Sequence, residues 1–161
     1  MAKLLKLYID TSVISHIFHD DTPERQADTK ELFENVIQPG LAEGFISSIV
    51  LDELMRTKDE ALRSSFLAAL EEYSLSLLPK AEPEILRMAT LYIQREILPR
   101  KCSEDALHLA FATVFGMDVL VTWDFRHLAN ATTGQRVSRM NKSEGYFKPL
   151  LILTPLEILQ P

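Results

Sequence analysis

Leu4-Leu5-Lys6-Leu7-Tyr8-Ile9-Asp10-Thr11-Ser12 is a short run of mostly apolar residues that stops on an acid and two hydroxyl side chains. A run of this length, rich in Leu and Ile, reads as a largely buried strand, and Asp-Thr-Ser is a place where a helix can begin. Asp10 therefore stands at the carboxyl end of a strand. The same alternation continues along the chain. Phe45-Ile46 is a second short strand, after which Ser47 or Ser48 caps a helix carrying Ile49, Val50, Leu51, Leu54 and Met55. Leu75 to Leu78 is a third strand, ending at Pro79. Val119 to Thr122 is a fourth, just before Asp124, and Leu150 to Leu153 is the last.

Helical spacing fills the intervals. Pro23 to Ile37 reads as one helix, stopped by Pro39-Gly40, and Ala61 to Tyr73 as another. Pro83 opens a third through Ile93 that Pro99 terminates, and Ser103 caps a fourth, Glu104 to Phe115, closed by Gly116. A short helix is predicted over Phe125 to Asn130, followed by a polar, Gly-containing segment. Strands separated by helices of a dozen residues require parallel crossovers. The expected fold is a three-layer α/β/α sandwich with a central, mainly parallel sheet of about five strands, one domain over residues 1–161.

Composition fits that expectation and narrows the function. With 161 residues of which 47% are apolar, the chain has enough hydrophobic material for one core. Its lone Cys102 cannot form an intrachain disulfide and reads as a small semi-buried residue, which suits a reducing cytoplasm. The start of the sequence, interrupted by Lys3 and Lys6, lacks a signal-peptide pattern, and no apolar run is long enough for a membrane span. A soluble, cytoplasmic protein is expected. The net charge of −6 argues against a general electrostatic nucleic-acid binder. Charge is uneven, however: from Arg126 to Lys148 the bases Arg126, Arg136, Arg139, Lys142 and Lys148 face only Glu144.

Asp10, Glu53, Asp105 and Asp124 carry the chemistry of the sequence. In parallel sheets, ligands bind beyond the carboxyl ends of the strands, where Asp10 and Asp124 both fall. Glu53 and Asp105 lie near the starts of helices that could open on the same rim. Carboxylates brought together repel unless protonated or neutralised, and a divalent cation resolves the conflict. Oxygen ligands suit Mg²⁺ or Mn²⁺, which keep waters and leave room for a phosphate. Each acid alone also has an ordinary explanation. Asp10 and Asp124 could be helix caps, Asp105 could complement a helix dipole, and Glu53 could pair with Arg56. Asp52 competes with Glu53 but has Arg56 at i+4, and Glu104 competes with Asp105.

The histidines weigh less. His16 and His19 are spaced as a possible metal pair without a third nitrogen or sulfur ligand, which favours a surface role. His108, one turn beyond Asp105, reads as a satisfied buried imidazole that could approach the site. His127, beside Arg126, could touch a phosphate. A strand-Asp start also belongs to aspartyl-phosphate phosphatases, but Ser12 stands where they need a second acid.

Four blocks together resemble PIN-domain nucleases, most nearly the VapC-type ribonuclease toxins of type II toxin-antitoxin systems. They are Tyr8-Ile9-Asp10-Thr11-Ser12-Val13-Ile14, Ile46-Ser47-Ser48-Ile49-Val50-Leu51-Asp52-Glu53-Leu54, Glu104-Asp105-Ala106-Leu107-His108-Leu109-Ala110 and Val121-Thr122-Trp123-Asp124-Phe125. The resemblance implies that Asp10, Glu53, Asp105 and Asp124 form a catalytic Mg²⁺ or Mn²⁺ site, with Asp10 and Asp105 the principal ligands and Thr11, Ser12 and Thr122 standing behind them. It implies an endoribonuclease in which metal-activated water cleaves an RNA phosphodiester. A small antitoxin that offers Arg or Lys to the acids is implied as a partner, and a homodimer; the apolar helix surfaces around Phe66, Leu67 and Leu70 or Leu91 and Ile93 could form its interface, although core packing is the simpler explanation of them. Residues 132–149 make a longer, more basic connection than minimal toxins have. Arg136, Arg139 and Asn141 there are candidate RNA contacts. The competing reading is a catalytically weak RNA-binding or protein-binding module of the same fold.

Overall fold

A computed structural model describes residues 3–80 and 83–160. Its centre is a five-stranded sheet in the order β3-β2-β1-β4-β5. The strands are β1 (Leu5–Ile9), β2 (Ala42–Ile46), β3 (Ser76–Leu77), β4 (Val119–Val121) and β5 (Leu151–Leu153), and every pairing is parallel. Leu7, Tyr8 and Ile9 are all buried, as a central strand covered on both faces demands. From β1 the chain first builds outward through β2 and β3, then returns to the other side of β1 for β4 and β5. The crevice between the carboxyl ends of β1 and β4 is therefore the topological switch point, where such sheets bind ligands.

Helices α1 (Thr11–His16), α2 (Pro23–Leu32), α3 (Ser48–Met55), α4 (Glu60–Glu72), α5 (Pro83–Gln94), α6 (Ser103–Val114), α7 (Ala131–Ser143) and α8 (Pro155–Leu159) flank the sheet. Their starts follow from local chemistry. Asp10 accepts from Thr11 N, Ser47 from Ile49 N and Asp59 from Leu62 N. α5 packs along α6 and α2 against α8. One continuous hydrophobic core results, running from Leu7 to Met140. Phe66 and Leu70 belong to that core, which leaves Leu67 as the exposed member of the expected α4 patch. Among the described residues no helix is long and apolar enough to cross a membrane.

Four local expectations are corrected. The helix predicted over Pro23 to Ile37 ends as α-helix at Leu32 and continues as a π turn, Phe33–Ile37, with Gln38 N donating to Phe33 O at 2.8 Å. The π turn seats both Phe33 and Ile37 in the core. Ser103 does not cap α6, because a 3₁₀ turn, Arg100–Cys102, already leads into it. The α5 helix ends at Gln94, well before Pro99, and Glu96 beyond it adopts a positive φ of 56°. Finally, Phe125 to Asn130 is a turn, and the helix in this region is α7, capped by Asn130 through Thr133 N. Its buried face is filled by Thr133, Val137, Met140 and Asn141, so half of it is polar in sequence and the apolar period is weak.

Candidate functional site

The β1 and β4 ends meet through hydroxyl groups. Asp10 is only 4% exposed, and its Oδ2 accepts from Ser12 Oγ at 2.8 Å and from Thr122 Oγ1 at 2.7 Å, while Oδ1 accepts from Thr11 N at 2.8 Å. Ser12 Oγ in turn accepts from Trp123 N at 3.0 Å, and Thr122 Oγ1 accepts from Asp124 N at 3.1 Å. The carboxylate is thus oriented by donors from both strand ends. Hydrogen bonds to an ionised acceptor are the strong ones, and several at once fix its direction.

Glu53 reaches the same rim from α3. Its Oε1 accepts from Thr11 Oγ1 at 3.0 Å and lies 2.5 Å from His108 Nε2 on α6. His108 is fully buried, its Nε2 also 3.3 Å from Asp10 Oδ1. Its other nitrogen, Nδ1, is 2.7 Å from the Tyr8 hydroxyl, which is 2.6 Å from Ser47 Oγ. Every polar atom in this chain of groups has a partner, as burial requires. Burial works against a charged imidazole here, but the facing carboxylates of Asp10, Glu53 and Asp105 carry His108 above its ordinary value. The sequence expectation of a buried, satisfied imidazole and that of an approach to the acids both describe His108.

Asp105 enters from the first turn of α6. Burial, and then the charges of Asp10 and Asp124, push its carboxyl up to about 6. That shift records like charges gathered in a partly dry crevice. Asp124 follows β4, where its Oδ1 accepts from His127 N at 2.9 Å and its Oδ2 lies 3.4 Å from His127 Nδ1. Beside Asp105, burial together with Asp105 and Asp124 raises the Cys102 thiol. An open pocket of about 420 Å³ is bordered by Thr11, Glu53, Arg56, Cys102 and Asp105. A larger groove of about 710 Å³ runs along α7 and β5, lined by Arg139 and Lys142 among others. The smaller pocket is the one that borders Glu53 and Asp105.

Other sequence candidates fall elsewhere. Arg56 pairs with Glu104 at 2.8 Å, not with Asp52 or Glu53, because α3 and α6 pack side by side. Asn141 is 3% exposed, and its amide binds the Tyr92 hydroxyl at 2.6 Å and Thr113 Oγ1 at 3.1 Å. It cannot hold RNA, which corrects that expectation. Arg136 donates to the Glu96 carbonyl at 2.8 Å, and Lys148 pairs with Asp118 at 3.2 Å, so part of the basic stretch is structural. Arg139 remains exposed. His16 binds Ser12 O at 2.7 Å and sits edge-on to His19. Tyr8, Ser47 and Cys102 were not singled out for the site by sequence. The only signal for Tyr8 and Ser47 was their place at strand ends.

The acids that open on this crevice offer only oxygen donors, and their negative charge fits a hard divalent cation. Residues 7–132 match the PIN domain family. No curated protein matches the sequence. In fold the chain is similar to the crystal structure of VapBC2 from Rickettsia felis bound to a DNA fragment from their promoter, with 16% identity, a TM-score of 0.56, and 93% of this chain and 98% of that chain covered. At that identity the likeness is one of fold.

Proposed function

The chain belongs to the PIN domain family, and from that premise we propose that it is a Mg²⁺- or Mn²⁺-dependent endoribonuclease, the toxin of a toxin-antitoxin pair. The observation that carries the proposal is the joining of Asp10 and Glu53 at the β1–β4 switch point, where His108 Nε2 stands 3.3 Å from Asp10 and 2.5 Å from Glu53 while Thr122 holds Asp10 from β4. Asp105, raised to about 6 by burial and then by the charges of Asp10 and Asp124, opens on the same crevice. Asp10 and Asp105 are the principal ligands in this reading, with Glu53 and Asp124 completing the set. A divalent cation, when bound, supplies the positive charge that polarises a phosphodiester and eases deprotonation of the attacking water.

The chain's own groups do the positioning. Ser12, Thr122 and the Thr11 N–H hold Asp10, while Thr11 Oγ1 and His108 hold Glu53. No nucleophilic side chain is required. RNA contacts beyond the acids fall to exposed bases, Arg139 first among them, since a phosphate chain is tracked by Lys and Arg. A small antitoxin that places an Arg or Lys among the acids would neutralise them directly. The complex named in the structural neighbour, VapBC2, supports such a partner, and a homodimer completes the reading.

The experiment is RNA cleavage by the purified chain with Mn²⁺, Mg²⁺ or EDTA, beside Asp10→Asn and Asp105→Asn. Cleavage with either metal, abolished by EDTA and by both substitutions, is the expected result. Equal cleavage by all three proteins would end the proposal.

A further inference from the structure

A second donor set lies beside the acids and differs from them in kind. Cys102, Asp105 and His127 each offer one ligand atom, and these three atoms lie within 4.8 Å of one another. They come from separate pieces of the fold: the 3₁₀ turn before α6, the first turn of α6, and the turn after β4. Among the described residues no other group of three or more such side chains is this close. A thiol, an imidazole and a carboxylate are the ligand types of borderline-soft ions. A set of carboxylates alone favours Mg²⁺ or Mn²⁺.

We propose that Cys102, Asp105 and His127 form a binding site for a thiophilic divalent transition-metal ion of the Zn²⁺ class, overlapping the acid cluster through Asp105. Donors around a tetrahedral ion of this class stand about 3.5 Å apart, so closure needs about 1 Å of side-chain movement. His127 can supply it, with 22% of its side chain exposed at the rim. With Nε2 as the ligand atom, Asp124 Oδ2, 3.4 Å from His127 Nδ1, provides the carboxylate that orients a metal-binding imidazole by accepting from its other nitrogen. The fourth position is left to water. Binding replaces the thiol proton of Cys102 with the ion and releases that proton to solvent.

The overlap has a regulatory consequence, which rests on the nuclease reading above. An ion held by Cys102 and His127 draws Asp105 away from the hard-cation set, so Zn²⁺ inhibits cleavage supported by Mn²⁺. The coordination itself does not depend on that reading.

Cobalt(II) is the probe, because a cysteine thiolate bound to it gives a charge-transfer absorption in the near ultraviolet that carboxylates do not give. The full chain titrated with Co²⁺ under reducing conditions is expected to show this band, to lose it on addition of equimolar Zn²⁺, and to keep it in a large excess of Mg²⁺. Cys102→Ser, nearly isosteric, is expected to lack the band, and His127→Ala to bind Co²⁺ at least tenfold more weakly. Circular dichroism on both variants checks the fold. Absence of the band in the wild type, or its persistence in Cys102→Ser, overturns the proposal. A normal band in a protein that cleaves no RNA would instead count against the nuclease reading alone.

Discussion

His108 Nε2 stands 2.5 Å from Glu53 Oε1 and so ties α6 to α3 across 55 residues of sequence. Behind it, Tyr8 and Ser47 continue the chain of hydrogen bonds into β1 and the cap of α3. Two arrangements of protons are compatible with this chain. Either the imidazolium donates to Tyr8, which donates to Ser47, or Ser47 donates to Tyr8, which donates to a neutral imidazole. In both, Nε2–H points at Glu53, so the direction of that carboxylate is independent of the ring's charge.

Replacing His108 with Ala is expected to lower metal-dependent cleavage about 10–100-fold, the usual effect of removing a group that orients a ligand. It should also cost about 1–3 kcal/mol of stability, because the Tyr8 hydroxyl and Glu53 lose a buried partner. Cleavage rates and urea denaturation measure the two separately, and an unchanged rate would show that Glu53 needs no support from α6.

Asp105→Asn should abolish cleavage while making the metal-free protein more stable at pH 7. Neutralising a partly buried charge near other acids removes about 1–2 kcal/mol of desolvation cost and repulsion after allowance for solvent screening, a rise of a few degrees in the melting temperature of a chain this size. A thermal melt in EDTA that shows loss of stability would contradict this account of a charge disfavoured by burial and by neighbouring acids.

The pH dependence follows from the same group. Its folded value of about 6 exceeds the ordinary carboxyl value, so between about pH 4 and pH 6 the native state binds more protons than the unfolded chain. This contribution to stability is therefore fully present below about pH 4 and is lost as pH rises through about 6. Denaturation of the metal-free wild type should show that decline more steeply than Asp105→Asn does. Apparent Mn²⁺ affinity should move the opposite way and rise with pH through the same window, because protons compete for the ligand.

Arg139 and Asn141 separate surface from core within one helix. Arg139→Ala should weaken RNA binding and reduce its salt dependence by about 0.7 in the log–log slope, as expected for one lost phosphate contact on a single strand. Asn141→Ala should cost about 1–3 kcal/mol of stability by stranding Tyr92 and Thr113. Filter binding across a salt series and chemical denaturation distinguish them. Equal effects of both variants on RNA affinity would dismiss this division.

Much of this could be read from sequence because β1 and β4 announce themselves locally. Leu7-Tyr8-Ile9 before Asp10 and Val119-Leu120-Val121 before Asp124 each combine an apolar run with an acid at its end. What escaped was non-local. Arg56 has an acid at i−4 but binds Glu104, 48 residues away, since packing of α3 on α6 offers a better partner than its own helix. The α7 helix was missed because Thr133 and Asn141 hold buried positions that a hydrophobic period cannot register. The Tyr8–His108 bond spans 100 residues and has no signature in any local window.

The assembly of the rim from residues far apart in the sequence sets an order of events during synthesis. Asp10 is synthesised 112 residues before Thr122, the β4-end residue that completes its surroundings. Until β4 slots in beside β1 the nascent chain holds isolated acids and no assembled centre. A centre built in this way cannot act before β4 has been made and paired with β1.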